Sequence, residues 1–197
     1  MDYLPSLAPE YYTGPPDTTT LIDAARRHGE ALHPRGRPGR VAVARKDRDA
    51  PNGWREQTFT VSELPDVLAA AAGDPDTYIS QQRFNGWRRI ANLRELGAMY
   101  VDLDFHKRSS YADMHPLGVL EDALIRLERE RIPYPTLAIA SGRGLYLIWL
   151  HTPVPRAALP RWNACQNRLW NVLHPLGADA RARDAARVLR VPGTLHS

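Results

Sequence analysis

Cysteine is almost missing from this chain: Cys165 is the only one among 197 residues, which excludes an internal disulfide and any Cys-rich structural zinc site within it. Lysine is nearly as scarce. Of 26 basic residues only Lys46 and Lys107 are lysines, a bias read mainly as genomic composition, with the side benefit that arginine forks suit phosphate recognition. No apolar run reaches the length of a membrane span, and Met1-Asp2-Tyr3-Leu4-Pro5 lacks a basic stretch before an apolar one. Neither a membrane partner nor a secretory signal is indicated, and the expected location is cytoplasmic. No Gly-x4-Gly-Lys-Ser/Thr loop occurs, so any helicase would lie outside this chain, and no His-hydrophobe-His motif with a following Tyr supports a rolling-circle nickase. What remains is ordinary for a globular domain: 43% hydrophobic and 24% charged residues, a net charge of +4, and no repeat at fixed period. The basic excess suits a polyanion without requiring one.

The first 18 residues, rich in Pro, Tyr, Gly and Asp, read as an extended arm. Residues 18–32 carry Leu21, Ile22, Ala25 and Leu32 at helical spacing, and the breaker-rich, basic stretch from His33 to Arg40 follows. Strands are expected over 40–46 and 55–61, and a helix over about 62–72. Phe84-Asn85-Gly86-Trp87-Arg88-Arg89 interleaves aromatic and basic groups; it fits either a single-strand-binding surface at Trp87, Arg88 and Arg89 or a core position for Phe84 and Trp87. Further on, Val119, Leu120, Ala123, Leu124 and Leu127 describe one helical face, which Pro133 and Pro135 bring to an end. A last helix is expected from about Arg156 to Leu173, where the spacing of Cys165 with Trp162, Leu169 and Val172 predicts a buried thiol. The order of elements implies an α+β fold with a mostly antiparallel sheet.

Three blocks carry the chemistry. In Tyr100-Val101-Asp102-Leu103-Asp104, strand alternation turns both carboxylates to one side and Val101, Leu103 and Phe105 to the other. Two acids so close repel, and a hard divalent cation resolves the repulsion while keeping positions open for phosphate oxygens. The second block, residues 136–150, reads as a strand, a Ser141-Gly142-Arg143-Gly144 turn and a second strand. That turn can present a hydroxyl, unobstructed N–H groups and a guanidinium fork to a triphosphate, or it is a plain hairpin turn. The third is Gly177-Ala178-Asp179 followed by Arg190-Val191-Pro192-Gly193-Thr194-Leu195-His196. Asp184 competes with Asp179 as a third acid, and His106 and Lys107 either touch primer or phosphate or form a polar loop.

In this order the blocks resemble the archaeo-eukaryotic primase superfamily, in particular the primase-polymerases of plasmids, phages and mobile elements. The resemblance covers about residues 77–197, including Thr77-Tyr78-Ile79-Ser80-Gln81-Gln82-Arg83-Phe84 before the first acids. It implies one composite catalytic domain over 1–197, with an N-terminal arm and αβ unit over 1–76 and an RRM-like catalytic half over 77–197. It further implies a DNA primase-polymerase that joins NTP or dNTP to a 3′-hydroxyl on a single-stranded DNA template. Two Mg²⁺ or Mn²⁺ ions would be held by Asp102, Asp104 and Asp179. Ser141, Gly142, Arg143, Tyr146, Arg190 and His196 would bind the nucleotide, and Trp87, Arg88, Arg89 and Lys107 the DNA. A helical priming domain or a helicase would be a partner outside this chain. One departure stands out: where relatives place a histidine after the glycine turn, this sequence has Leu145-Tyr146. That substitution keeps open a non-catalytic RNA- or single-strand-binding module with the same RRM-like fold. A two-metal nuclease would use the same acids but leaves the Ser141–Gly144 turn and the Arg190 block unexplained.

Overall fold

The computed structural model describes residues 17–195, so most of the expected N-terminal arm, and His196, lie outside the described residues. The elements are α1 (Thr18–Leu32), β1 (Arg40–Lys46), β2 (Trp54–Thr60), α2 (Leu64–Ala71), β3 (Thr77–Ser80), β4 (Arg83–Phe84), β5 (Leu93–Leu103), α3 (Pro116–Arg129), β6 (Leu137–Ala140), β7 (Leu145–Pro155), α4 (Leu159–Leu173) and β8 (Val188–Arg190). Local chemistry explains the helix starts. The Asp17 carboxylate accepts from the Thr20 N–H at 2.7 Å, and prolines in the first turns of α2, α3 and α4 occupy places where no backbone donor is needed. A 3-10 turn over Arg156–Ala158 precedes α4, so that helix begins later than its sequence pattern suggests.

The strands form one sheet in the order β6-β7-β5-β4-β1-β3-β8, with β2 pairing separately with β1, and all its ladders are antiparallel. The fold is therefore α+β with a mostly antiparallel sheet. Alternation along β5 feeds two cores. Ala98 and Tyr100 join Phe84, Ile148, Leu68 and Trp162 on one side, while Val101 and Leu103 pack with Val119, Ala123 and Leu127 of α3 and Leu169 and Leu173 of α4 on the other. Each buried Val, Leu, Ile or Phe among them contributes about 1.5–3 kcal/mol.

The expected burial of Cys165 is wrong: the thiol is exposed. Trp162, Gln166, Leu169 and Leu173 form the buried face of α4, and the place an apolar residue would take is held by Gln166, whose amide pairs with the backbone of Tyr100. That amide answers a specific need. β4 pairs with β5 only around Leu93 and Glu95, which leaves the backbone edge of β5 open toward the acids. An unpaired buried backbone group costs about 1–3 kcal/mol. Substitutes fill the gap: Gln82 spans the Gly97 N–H and the Ala98 carbonyl, Trp162 Nε1 donates to that same carbonyl at 2.9 Å, and Gln166 serves Tyr100. At the far end the segment 177–179 lies antiparallel beside β5, through a bridge between Leu103 and Ala178.

Candidate active site

This last bridge positions the third acid. With Ala178 opposite Leu103, Asp179 comes opposite Asp102. Its N–H donates to the Asp102 carbonyl at 2.8 Å, and the Asp104 N–H donates to Gly177 O at 3.0 Å. Directly opposed residues share a face, so sequence positions 77 residues apart meet on the side of the first pair of acids. Gly177 makes the approach possible: its φ is +92°, and a Cβ there would stand 3.0 Å from Asp104 O. Asp184 goes elsewhere. Its carboxylate pairs with Arg187 at 2.8 Å and accepts the Ala186 N–H at 3.0 Å.

Asp102 and Asp104 form one wall of a cleft of about 340 Å³. Facing them are Tyr146, directly opposite Asp102 across the β5–β7 ladder, and the turn of Ser141, Arg143 and Gly144. Gly144 sets how closely the turn approaches, since a Cβ there would lie 2.5 Å from Leu103 O. His106 Nδ1 bonds to Arg143 O at 2.8 Å, tying the segment after the acids to the same turn. Arg143 itself is exposed. Arg190 completes the cleft from β8; its guanidinium reaches Ser141 O at 2.8 Å, Asp76 Oδ1 at 3.0 Å and the Tyr78 hydroxyl at 3.1 Å. Gly142 opens on an adjoining pocket that also has Tyr146, Arg190 and Pro192–Thr194 in its wall.

The charges are unbalanced here. Burial, followed by the negative charges of Asp104 and Asp179, pushes the Asp102 carboxyl up to about 7 against the opposing pull of Lys107 and Arg187. Lys107 donates to Asp104 Oδ2, and this bond, helped by the charges of all three carboxylates, raises its pKa. Burial and then Asp102 push the Tyr146 phenol to about 12, so it stays a neutral donor. An all-oxygen donor set crowded enough to keep one carboxyl near neutrality suits a hard divalent cation. Among the described residues, however, no group of three His, Cys, Asp or Glu side chains closes around one point.

Of the residues expected to bind DNA, Lys107 lies on Asp104 and Arg88 pairs with Glu56 at 2.7 Å, whereas Trp87 is 62% exposed and Arg89 is exposed. Phe84 is wholly buried. Sequence reasoning missed Asp76 and Tyr78, which hold Arg190 in place; Asp76 is 3% exposed and also pairs with Lys46 at 3.2 Å. The signal was Tyr78 inside the stretch already compared with the primase family, and Asp76 just ahead of it.

Comparison with known proteins bears on the fold. A replication protein of Clostridium perfringens is 39% identical over 146 residues, which is 74% of this chain and 34% of that protein. The chain thus spans about a third of the length of this curated relative. Among solved structures, the AEP domain of the cyanophage S-2L primase-polymerase aligns with a TM-score of 0.53 at 19% identity, covering 86% of this chain and 80% of the other. The primase RepB′ aligns with a TM-score of 0.50 at 14% identity, over 88% of this chain and 50% of the other. No family model matches. The resemblance read from the sequence is borne out at the level of fold: the chain has the archaeo-eukaryotic primase fold.

Proposed function

We propose that this domain is the catalytic unit of a primase-polymerase, a template-dependent nucleotidyltransferase acting in the replication of a plasmid, phage or other mobile element. The observation that carries the reading is the pair Asp102 and Asp104 at a cleft walled by a glycine turn and a buried arginine, with Asp179 bonded through its backbone to Asp102 and its charge acting on both Asp102 and Lys107. The primase fold and the replication protein relative support it. Asp102, Asp104 and Asp179 would hold two Mg²⁺ or Mn²⁺ ions. Such ions supply an activated 3′-hydroxyl and charge neutralisation on the triphosphate.

The chain's own groups do the rest. Arg143 is free to swing onto a phosphate because only its carbonyl is engaged, whereas Arg190 is pre-set by Asp76 and presents a fixed guanidinium edge. Tyr146, kept protonated, donates where relatives place a histidine. Lys107 screens the acids when no cation does, and leaves Asp104 for phosphate when one arrives. A single-stranded DNA template, a primer and NTP or dNTP are the substrates. A second reading, a nucleic-acid-binding module without synthesis, is favoured by one observation: an ammonium already sits on Asp104.

The experiment that separates the two is primer extension on single-stranded DNA with labelled nucleotides and Mg²⁺ or Mn²⁺. Metal-dependent incorporation is expected. Its absence with both ions, alongside retained DNA binding, would leave the binding module. Arg143→Ala should lower nucleotide affinity by about 1.5–3 kcal/mol, the worth of a charged hydrogen bond, with DNA affinity unchanged.

A further inference from the structure

Beside the cleft runs a groove of about 600 Å³ whose walls include Asn52, Trp54, Glu56, Arg88, Asp184 and Arg187. We propose that this groove seats a base of the single-stranded template, stacked on Trp54; the inference rests on the polymerase reading and assigns its template a place. Trp54 opens β2 and is 37% exposed, so part of its indole is open to a ligand in the groove. Its ring meets Tyr78 edge-on at 5.1 Å between centroids, and Tyr78 is a wall of the catalytic cleft. Groove and cleft are therefore joined through this pair of touching rings. The Tyr100 hydroxyl donates to Asp184 O, which ties another wall of the groove to β5, two residues before Asp102.

The chemistry of the walls selects the occupant. Glu56 pairs with Arg88 and Asp184 with Arg187, so the groove has polar edges and no net charge. That composition is poor for a phosphate and good for a planar, neutral, hydrogen-bonding base beside an indole face. Asn52 already accepts from the Trp54 N–H at 3.1 Å through its oxygen, which leaves its NH₂ to donate to a base edge. Arg88 reaches across to the Ala186 carbonyl. The sequence pointed to Trp87 as a stacking residue; the proposal adds Trp54, the indole in contact with a wall of the cleft.

The test is a titration, without metal or nucleotide, of a short single-stranded DNA carrying 2-aminopurine, whose fluorescence falls on stacking. The wild-type protein should quench it. Trp54→Ala should abolish the quench and weaken binding about five- to 150-fold, equally at low and high salt, and Trp54→Phe should restore most of both. Wild-type-like binding by Trp54→Ala overturns the inference, as does a loss of nucleotide affinity with DNA affinity intact. If Trp54→Phe, folded by circular dichroism, binds no better than Trp54→Ala, Trp54 only braces Tyr78 and the inference is also overturned. A wild-type protein that incorporates no nucleotide yet shows Trp54-dependent quenching keeps the groove and removes the polymerase reading. Active enzyme with Trp54-independent binding does the reverse.

Discussion

The two ends of β5 are both polar and both sunk into cavities of similar size, about 340 Å³ at Asp102 and about 320 Å³ at Glu95, yet their charges are handled in opposite ways. At the Glu95 end the buried charges are paired with each other. Arg83, 4% exposed, pairs with Glu95; Gln82 bridges the backbone of Gly97 and Ala98; and His33, kept neutral by burial, bonds to Ser80 O at 2.8 Å. Roughly 20 Å along the strand, at 3.3 Å per residue, three carboxylates crowd one another with Lys107 and Arg187 in partial compensation. The first arrangement stabilises the fold. The second leaves like charges unbalanced around Asp102, the arrangement on which the proposed function rests.

The largest test of this contrast exchanges stability for activity between the two ends. Glu95→Ala leaves Arg83 buried beside Arg37 and Arg94 with its partner gone, and should cost about 3–5 kcal/mol in a denaturation midpoint while the folded fraction still extends primers. Asp102→Asn should take primer extension to background and leave the midpoint unchanged or raised, because a repelling charge has been removed. Stability lost at Asp102 with none lost at Glu95 would reverse the assignment of the two ends.

The compensated end should nevertheless be the one that is weak in acid. Burial holds His33 down to about 3 and His28 down to about 4, so both stay neutral when folded and take up a proton when unfolded. Their folded pKa values are depressed. Their burial is therefore free of penalty above the unfolded value near 6.5, and stability falls with pH below it, by up to about 1.4 kcal/mol per pH unit for each histidine, until the folded values are reached. Urea midpoints of Asp102→Asn, which lacks the opposing titration of a carboxyl raised to about 7, should be level above about pH 7 and drop between about 6.5 and 4. His28→Leu, which removes a ring with two unpaired nitrogens, should flatten part of that drop; an unchanged slope would assign the acid sensitivity to other groups.

A smaller effect sharpens the catalytic end. Gly144→Ala puts a methyl against Leu103 O and should push the turn off the acid strand, costing about 1–3 kcal/mol of stability and raising the nucleotide concentration needed for extension. A variant with wild-type nucleotide affinity would show that the turn does not need to lie so close.

The sequence by itself determined what depends on neighbours along the chain. Period-2 alternation set the face of Asp102, with Asp104 just past the end of β5 in the same cleft, the spacing of Val119, Ala123 and Leu127 made one face of α3, and the glycines of the 141–144 turn closed a hairpin. The ordered motifs pointed to Asp179 through resemblance alone. Only the tertiary structure decided how that acid arrives, because its place depends on an open strand edge that residues 177–179 must satisfy. The same need took the buried position on α4 for Gln166 and left Cys165 in solvent. Packing also separated two aromatics that one motif had grouped, sinking Phe84 and exposing Trp87, and it brought Trp54 next to Tyr78. Asp76, unassigned in the sequence, meets Arg190 across 114 residues. Backbone hydrogen bonds and buried charges must be satisfied by whatever is near in space, and distance along the chain does not say what that will be.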